Sequence, residues 1–310
     1  MELFKDRNFD FIKHRKVAYT ISAIILLIGL LSILFQGFNY GIDFAGGTLL
    51  QLRFDQAVST AEIRNILGEF NLSQSTIQRL SEENEFIIRA GNIDDEQRRE
   101  ILLAFEEKLA NPEVLRMETV GPIMGEALRR SFIYALIFAF IGIILYVTLR
   151  FEFKFSLVSV LALLHDALIV LGIFSLLRKE ISVQIVAAIL TIIGYSVNNT
   201  IIILDRLREN MKLRTREKME NLINLSINQT LTRSILTTLT TIFPILTLYF
   251  FGGSMLSDFA LALLLGMVVG TYSSIFIASP LLLEWNRIFQ KEQKAVRATG
   301  KKMVKNNFKK

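Results

Sequence analysis

Six long apolar segments dominate this chain of 310 residues and restrict its fold to that of a membrane protein. Each segment is close to the roughly 20 apolar residues that an α-helix needs to cross a bilayer. Hydrophobic residues make up 52% of the chain and charged residues 21%, and the charged ones are concentrated between the apolar segments. The sequence therefore predicts six transmembrane helices, at 17–35, 131–149, 155–177, 181–204, 231–251 and 256–283.

Lysine and arginine in the short segments beside these helices predict their orientation. Basic residues are frequent in 1–16, in 206–218 and in the tail 284–310, whereas the connection 252–255 has none. Because basic loops tend to stay in the cytoplasm, we expect both termini to be cytoplasmic. The same distribution explains the net charge of +6 and favours contact with anionic lipids, so no nucleic-acid partner is needed.

The segment 36–130, between the first two predicted helices, is expected to fold outside the membrane on the far side. Alternation and helical spacing predict the order βαββαβ, which is that of a ferredoxin-like domain. The predicted elements are strands at 48–54, 75–80, 85–90 and 114–120, and helices at 60–70 and 94–109. No paired carboxylates, nucleophile elbow or glycine-rich phosphate loop stands out, so we interpret this domain as a binding or mechanical module.

Nothing in the composition points to a metal centre or a cofactor. The chain has no cysteine, which excludes disulfides and thiolate metal sites, and its two histidines, His14 and His165, are far apart. No acid–base pair and no activated nucleophile is visible in an aqueous region. The sequence therefore predicts neither a catalytic residue nor a bound cofactor.

Polar side chains recur at helical spacing within three of the predicted spans. Such groups are costly in hydrocarbon, so we expect them to face one another inside the bundle and to form an ion pathway. Each also has a plainer interpretation: packing for the threonines, a structural pair for His165 and Asp166, and snorkelling for Arg233. The pathway candidates are Asp166 in the third span, Tyr195, Asn198, Asn199 and Thr200 in the fourth, and Arg233 in the fifth.

Asn199 lies deep in the fourth span, and its side chain is an amide. An amide accepts and donates hydrogen bonds or binds a cation, but it does not take up or release a proton near neutral pH. Asn199 is about five residues from the inner end of its span, and Arg233 is two or three residues from the inner end of the fifth. Their depths therefore predict that these two residues are neighbours in the inner half of the membrane.

Several motifs, in order along almost the whole chain, resemble those of the SecF family of bacterial protein-export membrane proteins. The most specific are a glycine-rich motif after the first span and a polar motif in the fourth. The matching segments are 8–11, 41–47, 120–125, 165–166, 194–200, 205–210 and 232–234, which read NFDF, GIDFAGG, VGPIMG, HD, GYSVNNT, DRLREN and TRS.

The resemblance implies a non-enzymatic RND-superfamily subunit of the bacterial cytoplasmic membrane that pairs with SecD. It implies that this subunit acts with the SecYEG channel, uses the ion-motive force and helps to move preproteins across the membrane. In the family, the polar motif reads Asn-Asp-Thr, and its Asp acts opposite an Arg of the fifth span. That Arg corresponds to Arg233, whereas the Asp position is Asn199.

Two explanations of Asn199 follow from the resemblance. Either a substitution has neutralised the carboxylate in this chain, or the chain is a natural variant with different coupling. In a variant, proton uptake rests on a SecD carboxylate or on Asp166, or else Asn199 helps to bind Na⁺ through its neutral oxygen. Arg233 then needs another counter-charge, for which we expect an Asp of SecD.

Two further groups of residues are candidates for coupling and partner contact. Gly41, Asp43, Phe44, Gly46 and Gly47 follow the first span, where glycine freedom favours a tight turn and the position favours a mechanical joint. Asp205 and Arg206, at the inner end of the fourth span, form either a local ion pair or a contact with SecD or SecY.

Three functions remain open on the sequence. The first is an ion-driven motor subunit of protein export, the second is half of an RND-type small-molecule exporter, and the third is a non-conducting scaffold of the export complex. Six spans with one outer domain favour a subunit over a self-sufficient pump.

Overall fold

The computed structural model describes residues 8–80, 84–109 and 112–285. Contacts among these residues divide the chain into two units. The first unit consists of the described parts of Met1–Gly37, Ile137–Leu177 and Ala188–Lys310, and the second of the described parts of Phe38–Leu136 and Arg178–Ala187. Much of the two predicted basic tails, 1–7 and 286–310, lies outside the described residues.

The chain begins with a 3₁₀ turn, Ile12–His14, and the first long helix, α1 (Arg15–Gln36). Gly37 ends α1 with a positive φ of 67°, and its N–H donates to the carbonyl of Ile33, as is common where glycine caps a helix. A two-residue strand, β1 (Asn39–Tyr40), and a one-turn helix, α2 (Ile42–Ala45), follow. Neither short element is predicted from the sequence, because two to four residues carry no periodic pattern.

The second unit contains a four-stranded antiparallel sheet with two helices, in the predicted order βαββαβ. Its elements are β2 (Gly47–Phe54), α3 (Thr60–Glu69), β3 (Thr76–Arg79), β4 (Glu85–Ala90), α4 (Asp95–Lys108) and β5 (Pro112–Val120). The strand order across the sheet is β3-β4-β2-β5. The helix starts follow local chemistry, since Ser59 and Glu62 form a capping box at α3 and Asp94 accepts from the N–H of Gln97 at α4.

The core of this sheet domain is aromatic and fully enclosed. Phe54, Phe86 and Phe105 have no more than 2% of their surface exposed. The ring of Phe54 meets the other two edge-on, at centroid distances of 5.9 Å and 6.1 Å. Burial of rings in this geometry is a strong source of stability in a small domain.

Five long helices and one short strand complete the chain, in the order α5 (Pro122–Arg150), α6 (Phe153–Leu176), β6 (Glu180–Ile181), α7 (Val183–Leu213), α8 (Met219–Phe251) and α9 (Gly253–Ser273). A five-residue π-helix, Ser274–Ala278, follows α9 within a longer apolar helical segment, Leu256–Trp285. Strand β6 pairs in parallel with β1.

Six helical segments are long and apolar enough to cross a membrane, which confirms the prediction of a polytopic membrane protein. Three of the helices, α5, α7 and α8, extend well past the predicted apolar runs. Main-chain hydrogen bonding continues along a helix irrespective of hydropathy, so an apolar run gives only a minimum length. Polar sequence at the ends of α7 and α8 is therefore helical too.

Helices α1 and α6 cross at a pair of glycines. A Cβ atom added to Gly29 would lie 3.0 Å from the Cα of Gly172, so a larger residue at either position would push the helices apart. About one turn further along each helix, the hydroxyls of Ser32 and Ser175 are 2.9 Å apart. Close approach through small residues is a usual way of packing helices in a membrane, where no hydrophobic force drives them together.

The segment before α1 is held against the start of α8 by two side-chain amides. Asn228 accepts from the N–H of Phe9 and donates to its carbonyl, as a neighbouring strand would. Asn224 donates to Asp10 at 2.6 Å and accepts from the N–H of Ile12. The hydrogen bond from Asn224 is the largest of the effects that lower the pKa of Asp10.

This contact predicts an effect of both mutation and pH on the N-terminal segment. We expect Asn224→Ala to speed cleavage by trypsin at Lys13, whereas Asn221→Ala, which removes only a bond to Glu217, leaves the rate unchanged. Since folding lowers the pKa of Asp10, the contact is fully stabilising above the ordinary carboxyl pKa and is lost as the pH falls below about 4. Equal cleavage of both variants at neutral pH would contradict this docking.

Candidate functional site

A carboxylate, Asp166, lies fully buried in the middle of α6. Its Oδ2 atom accepts from the hydroxyls of Ser196 on α7, at 2.5 Å, and Ser273 on α9, at 2.8 Å. Its Oδ1 atom is 2.9 Å from Nδ1 of His165. Three helices therefore supply donors to one acidic group with 0% of its surface exposed, so burial of this group is compensated by hydrogen bonds.

A second set of hydroxyls joins α7, α8 and α9. The hydroxyl of Tyr195 donates to Oγ1 of Thr238 at 2.9 Å, and that atom is 2.8 Å from Oγ1 of Thr271. Further along α7, Oγ1 of Thr200 is 2.9 Å from Oγ of Ser274, the first residue of the π-helix that follows α9. Polar side chains of the third, fourth and fifth spans therefore do meet within the first unit, with α9 as a fourth contributor.

Asn199 is a buried amide on α7, next to two residues that belong to these hydroxyl contacts, Ser196 and Thr200. Its side chain is 1% exposed, and neither its Oδ1 nor its Nδ2 atom has a partner among the described residues. Oγ of Ser234 and Nε2 of His165 are also buried without a described partner. Leaving such a group unsatisfied costs about 1–3 kcal/mol, which marks this part of the bundle as more than a packing core.

Asn198 and Arg233 lie on a different face from Asn199. Both are exposed at the surface of the chain, and Arg233 forms no ion pair with the described residues. The predicted proximity of Arg233 to Asn199 thus yields no hydrogen bond between them. Arg233 instead lines an open cavity of about 470 Å³ whose other lining residues are Ile201, Ile202, Asp205, Arg206, Glu209, Gln229 and Thr230.

Asp205 and Arg206 line the same cavity as Arg233, but they do not pair with each other in any described contact. Arg206 donates to Glu209 and, at 2.7 Å, to Gln229 on α8. Asp205 is 3.6 Å from the guanidinium of Arg150 at the end of α5. Both residues are only partly enclosed, so their charges remain available at the surface.

The contributions of α9 were missed by sequence reasoning, which considered only the third, fourth and fifth spans. The residues concerned, Thr271, Ser273 and Ser274, lie in the run Gly-Thr-Tyr-Ser-Ser at 270–274. This cluster of hydroxyls in an apolar span was a usable signal, but small hydroxyl residues are frequent in membrane helices for packing reasons alone.

The motif Gly41 to Gly47 forms a joint within the second unit. Gly46 and Gly47 have φ values of 73° and 127°, where residues with a side chain are strained. A Cβ on Gly47 would lie 2.5 Å from the carbonyl oxygen of Ala90, so the sheet also requires glycine there. Phe44 is buried and its ring lies 6.3 Å from that of Phe132 on α5.

Asp43 connects this joint to the helix that carries the fourth span. Its Oδ2 atom accepts from the main-chain N–H of Val183 at 2.9 Å, at the first residue of α7. The N–H of Gly41 donates to the carbonyl of Ile181, and Arg89 of the sheet forms an ion pair with Glu180. A carboxylate at a helix N-terminus satisfies a free N–H and interacts favourably with the helix dipole.

Comparison with known proteins now identifies the family. The family model "Protein export membrane protein SecD/SecF, C-terminal" matches residues 101–288, and the model "SecD/SecF GG Motif" matches residues 31–58. The chain belongs to the SecF branch of the SecD/SecF family. The family relationship assigns the glycine joint to a named motif and makes a role in protein translocation, rather than enzymatic catalysis, the function of this chain.

Several relatives cover nearly the whole chain. A "Protein translocase subunit SecF" of Desulfurispirillum indicum is 44% identical over 285 residues, which are 89% of this chain and 91% of that protein. The same subunit of Calditerrivibrio nitroreducens is 40% identical over 291 residues, covering 91% and 96%. A "Protein translocase subunit SecDF" of Thermus thermophilus is 42% identical over 94% of this chain but only 40% of that protein.

Solved structures agree with these relationships. The crystal structure of SecDF, a translocon-associated membrane protein from Thermus thermophilus, matches 93% of this chain with a TM-score of 0.87 and 40% identity. A crystal structure of SecDF in a form called super-membrane-facing matches 94% with a TM-score of 0.69 and 41% identity. The chain spans 40% of the length of each of these solved SecDF chains.

Removing the carboxylate of Asp166 is predicted to destabilise the bundle. In Asp166→Ala, the hydroxyl of Ser196 and the ring of His165 lose their partner in a buried site, and the hydroxyl of Ser273 keeps only the carbonyl of Gly270. At about 1–3 kcal/mol for each unsatisfied group, and allowing for relaxation, we expect a loss of roughly 2–4 kcal/mol in unfolding free energy. Ser159→Ala is the control, because this buried hydroxyl of α6 bonds only to its own helix at Phe155. Unfolding in detergent that is equal for both variants would refute the network.

Removing the carboxylate of Asp43 is predicted to loosen the first turn of α7. Asp43→Ala deletes the acceptor for the N–H of Val183, at a cost of about 1 kcal/mol for a lost cap. We expect faster amide hydrogen exchange in 183–187, and Asp43→Asn should restore most of the protection because its amide oxygen still accepts. Unchanged exchange in Asp43→Ala would show that this contact does not hold the helix.

Proposed function

We propose that the chain is the SecF subunit of the Sec accessory complex, which works with SecD and the SecYEG channel and uses the ion-motive force to promote preprotein translocation. The main support for this proposal is the buried polar region around Asp166. There, side chains of α6, α7 and α9 lie within hydrogen-bond distance of one carboxyl group. Intramembrane ionisable groups commonly mark ion or proton routes, which favours this function over a purely structural role for the bundle.

The exposed polar side chains around Arg233 favour a second protein subunit as a binding partner of this chain. Asn198, Arg233 and the groups of the neighbouring cavity are exposed at the surface of this chain. A guanidinium at such a position is costly against lipid, so a partner helix with an acidic residue would stabilise it. SecD is the natural candidate, because the SecDF relatives are single chains of which this protein corresponds to 40%. An Asp of SecD then supplies the counter-charge of Arg233.

The sheet domain is assigned the role of a mechanical or preprotein-binding module. Its order βαββαβ and its strand order β3-β4-β2-β5 are those expected of a ferredoxin-like fold, which we propose for it. The joint of Asp43, Gly46 and Gly47 links this domain to the first turn of α7, the helix that also carries Tyr195, Ser196 and Asn199. Movement of the domain would therefore be communicated along one continuous helix.

The proposed location is the bacterial cytoplasmic membrane, with both termini and the segment 206–218 in the cytoplasm. The support is the excess of lysine and arginine at 1–16, 206–218 and 284–310, compared with the connection 252–255. The sheet domain is then extracytoplasmic, where an emerging preprotein would meet it. The basic segments would also contact anionic lipids of the inner leaflet.

Two alternatives use the same architecture. As a non-conducting scaffold, the chain would hold SecD in place, and Asn199 in the position of a family Asp favours this possibility. As half of an RND-type exporter, it would require a partner to complete a small-molecule pathway. The SecF and SecDF names of the relatives favour protein export over the exporter.

Restoring a carboxylate at position 199 tests the motor against the scaffold. We expect Asn199→Asp to raise proton-driven export in cells that lack SecDF and carry the chain with SecD, because a titratable group then replaces the buried amide at position 199. Asn198→Asp is the matched control, since it places the same charge one residue away on the exposed face. No gain with Asn199→Asp, in a complex that assembles normally, would favour the scaffold.

A further inference from the structure

An apolar groove of about 450 Å³ runs along the contact between α8 and α9. Leu231 and Ile235 line it on α8, and Val268, which is 57% exposed, lines it on α9. Phe9, from the segment before α1, lines the end nearest the start of α8, where its main chain bonds to Asn228. All of these residues belong to the first unit, so the groove lies within one unit of the chain.

The hydroxyl groups in the lining of the groove have partners elsewhere. Oγ1 of Thr238 accepts from Tyr195 and lies 2.8 Å from Oγ1 of Thr271. The hydroxyl of Tyr272 donates to the carbonyl of Ala18 on α1 at 2.9 Å. The surface that remains to face the groove is therefore made of aliphatic and aromatic carbon, and a hydrocarbon ligand would pack against it.

The groove is too narrow for a transmembrane helix. Two of its lining residues, Val268 and Phe276, are eight residues apart, which is about 12 Å along a helix. Its volume of about 450 Å³ over that length gives a mean cross-section of about 40 Å². A helix with side chains is about 10–12 Å wide and needs about 80–110 Å². An acyl chain fits this space, whereas a helix of a partner protein does not.

A second, polar cavity of about 360 Å³ shares Phe9 with the groove. Its lining includes one basic residue, Arg214, and two acidic residues, Asp10 and Glu217. All three are exposed, and Glu217 accepts a hydrogen bond from the amide of Asn221, which also lines the cavity. The cavity therefore offers both a cation and carboxylates to a ligand, which is the charge pattern that complements a zwitterionic headgroup.

The two cavities follow one face of α8 over the depth of one membrane leaflet. Their lining residues on this helix recur at steps of three, four or seven, which places them on one face: Asn221, Asn224, Leu231, Ile235 and Thr238. From the first to the last of them α8 rises about 25 Å. One leaflet with its headgroups is about 20–22 Å thick. Because the apolar run of α8 begins at 231, the polar cavity lies at the headgroup level and the groove in the hydrocarbon.

We propose that the groove and the polar cavity together bind one phospholipid with an ethanolamine headgroup. One acyl chain lies in the groove, the phosphate accepts from Arg214, and the ammonium group donates to Glu217. A headgroup that carries only negative charge is disfavoured, because acidic residues outnumber basic ones in the cavity. In the proposed orientation the lipid belongs to the cytoplasmic leaflet. The site goes beyond the proposed function, since a bound lipid is compatible with a motor and with a scaffold.

Lipid binding to the purified full-length chain tests the groove. Delipidated protein in detergent is titrated with dioleoyl phosphatidylethanolamine, and bound lipid is measured by native mass spectrometry alongside the melting temperature, which a ligand of the folded state raises in a saturable way. We expect Val268→Trp, which fills the open side of the groove, to weaken binding at least tenfold. Leu239→Trp is the control, because Leu239 is exposed on α8 and does not line the groove.

A charge-neutralising substitution tests the headgroup. We expect the unmodified chain to bind phosphatidylethanolamine at least fivefold more tightly than phosphatidylglycerol with the same acyl chains. Glu217→Gln should abolish this preference, because it removes the carboxylate while keeping an oxygen that accepts from Asn221. Glu209→Gln makes the same change on α7, at an exposed residue that lines neither cavity, and should keep the preference.

Four results would overturn the site. They are the absence of saturable lipid binding, equal binding by Val268→Trp and Leu239→Trp, a preference for phosphatidylglycerol, and displacement of the bound lipid when SecD is added, which would assign the groove to a protein partner. The two substitutions test different ends of the lipid, so each is informative if the other variant fails to fold. Export in cells is measured separately, so a chain that exports without binding the lipid contradicts only the lipid site.

Discussion

Burial of the Asp166 carboxylate is the constraint around which the membrane bundle is organised. A carboxylate in an apolar interior is stable only where donors surround it, and here the donors come from α6, α7 and α9. Each of these helices presents a hydrogen-bonding side chain at the depth of Asp166. Glycines occupy the positions at which α7 and α9 approach most closely, since a Cβ on Gly270 would lie 2.9 Å from that of Ser196. The polar centre therefore dictates the register of the bundle.

The residues expected to form one pathway are divided between two faces. Tyr195 and Thr200 are directed into the bundle, where they bond to Thr238 and Ser274, and Asn199 is buried there without a hydrogen-bond partner among the described residues. Asn198 and Arg233 are exposed, next to the cavity that includes Asp205 and Arg206. We propose that the buried residues serve ion coupling and that the exposed ones contact a partner. An exposed guanidinium in an apolar span is costly against lipid, which is why we propose a partner subunit at Arg233.

Helix α7 carries both the N–H that Asp43 caps and the polar residues of the fourth span. Its first turn is capped by Asp43 of the glycine joint, and its middle carries Tyr195, Ser196 and Asn199. The positive φ values of Gly46 and Gly47 make the joint a defined turn, and the contact from Asp43 ties that turn to the helix. The structural and the mechanical interpretations of the motif are therefore compatible. Turn geometry accounts for Gly46 and Gly47, and the cap on Val183 accounts for the acidic residue that precedes them.

Hydropathy and residue spacing were sufficient to predict the six spans and the βαββαβ order, because burial of apolar surface and main-chain hydrogen bonding leave periodic traces in a sequence. The same reasoning identified Asp166, Asn199 and Arg233 as polar groups that an apolar span must explain. Partners that are distant in sequence leave no such trace. The pairing of Asp43 with Val183, the donors from α9 and the outward turn of Arg233 depend on how helices rotate against one another. Side-chain packing fixes that rotation, which is why these contacts emerged only from the folded arrangement.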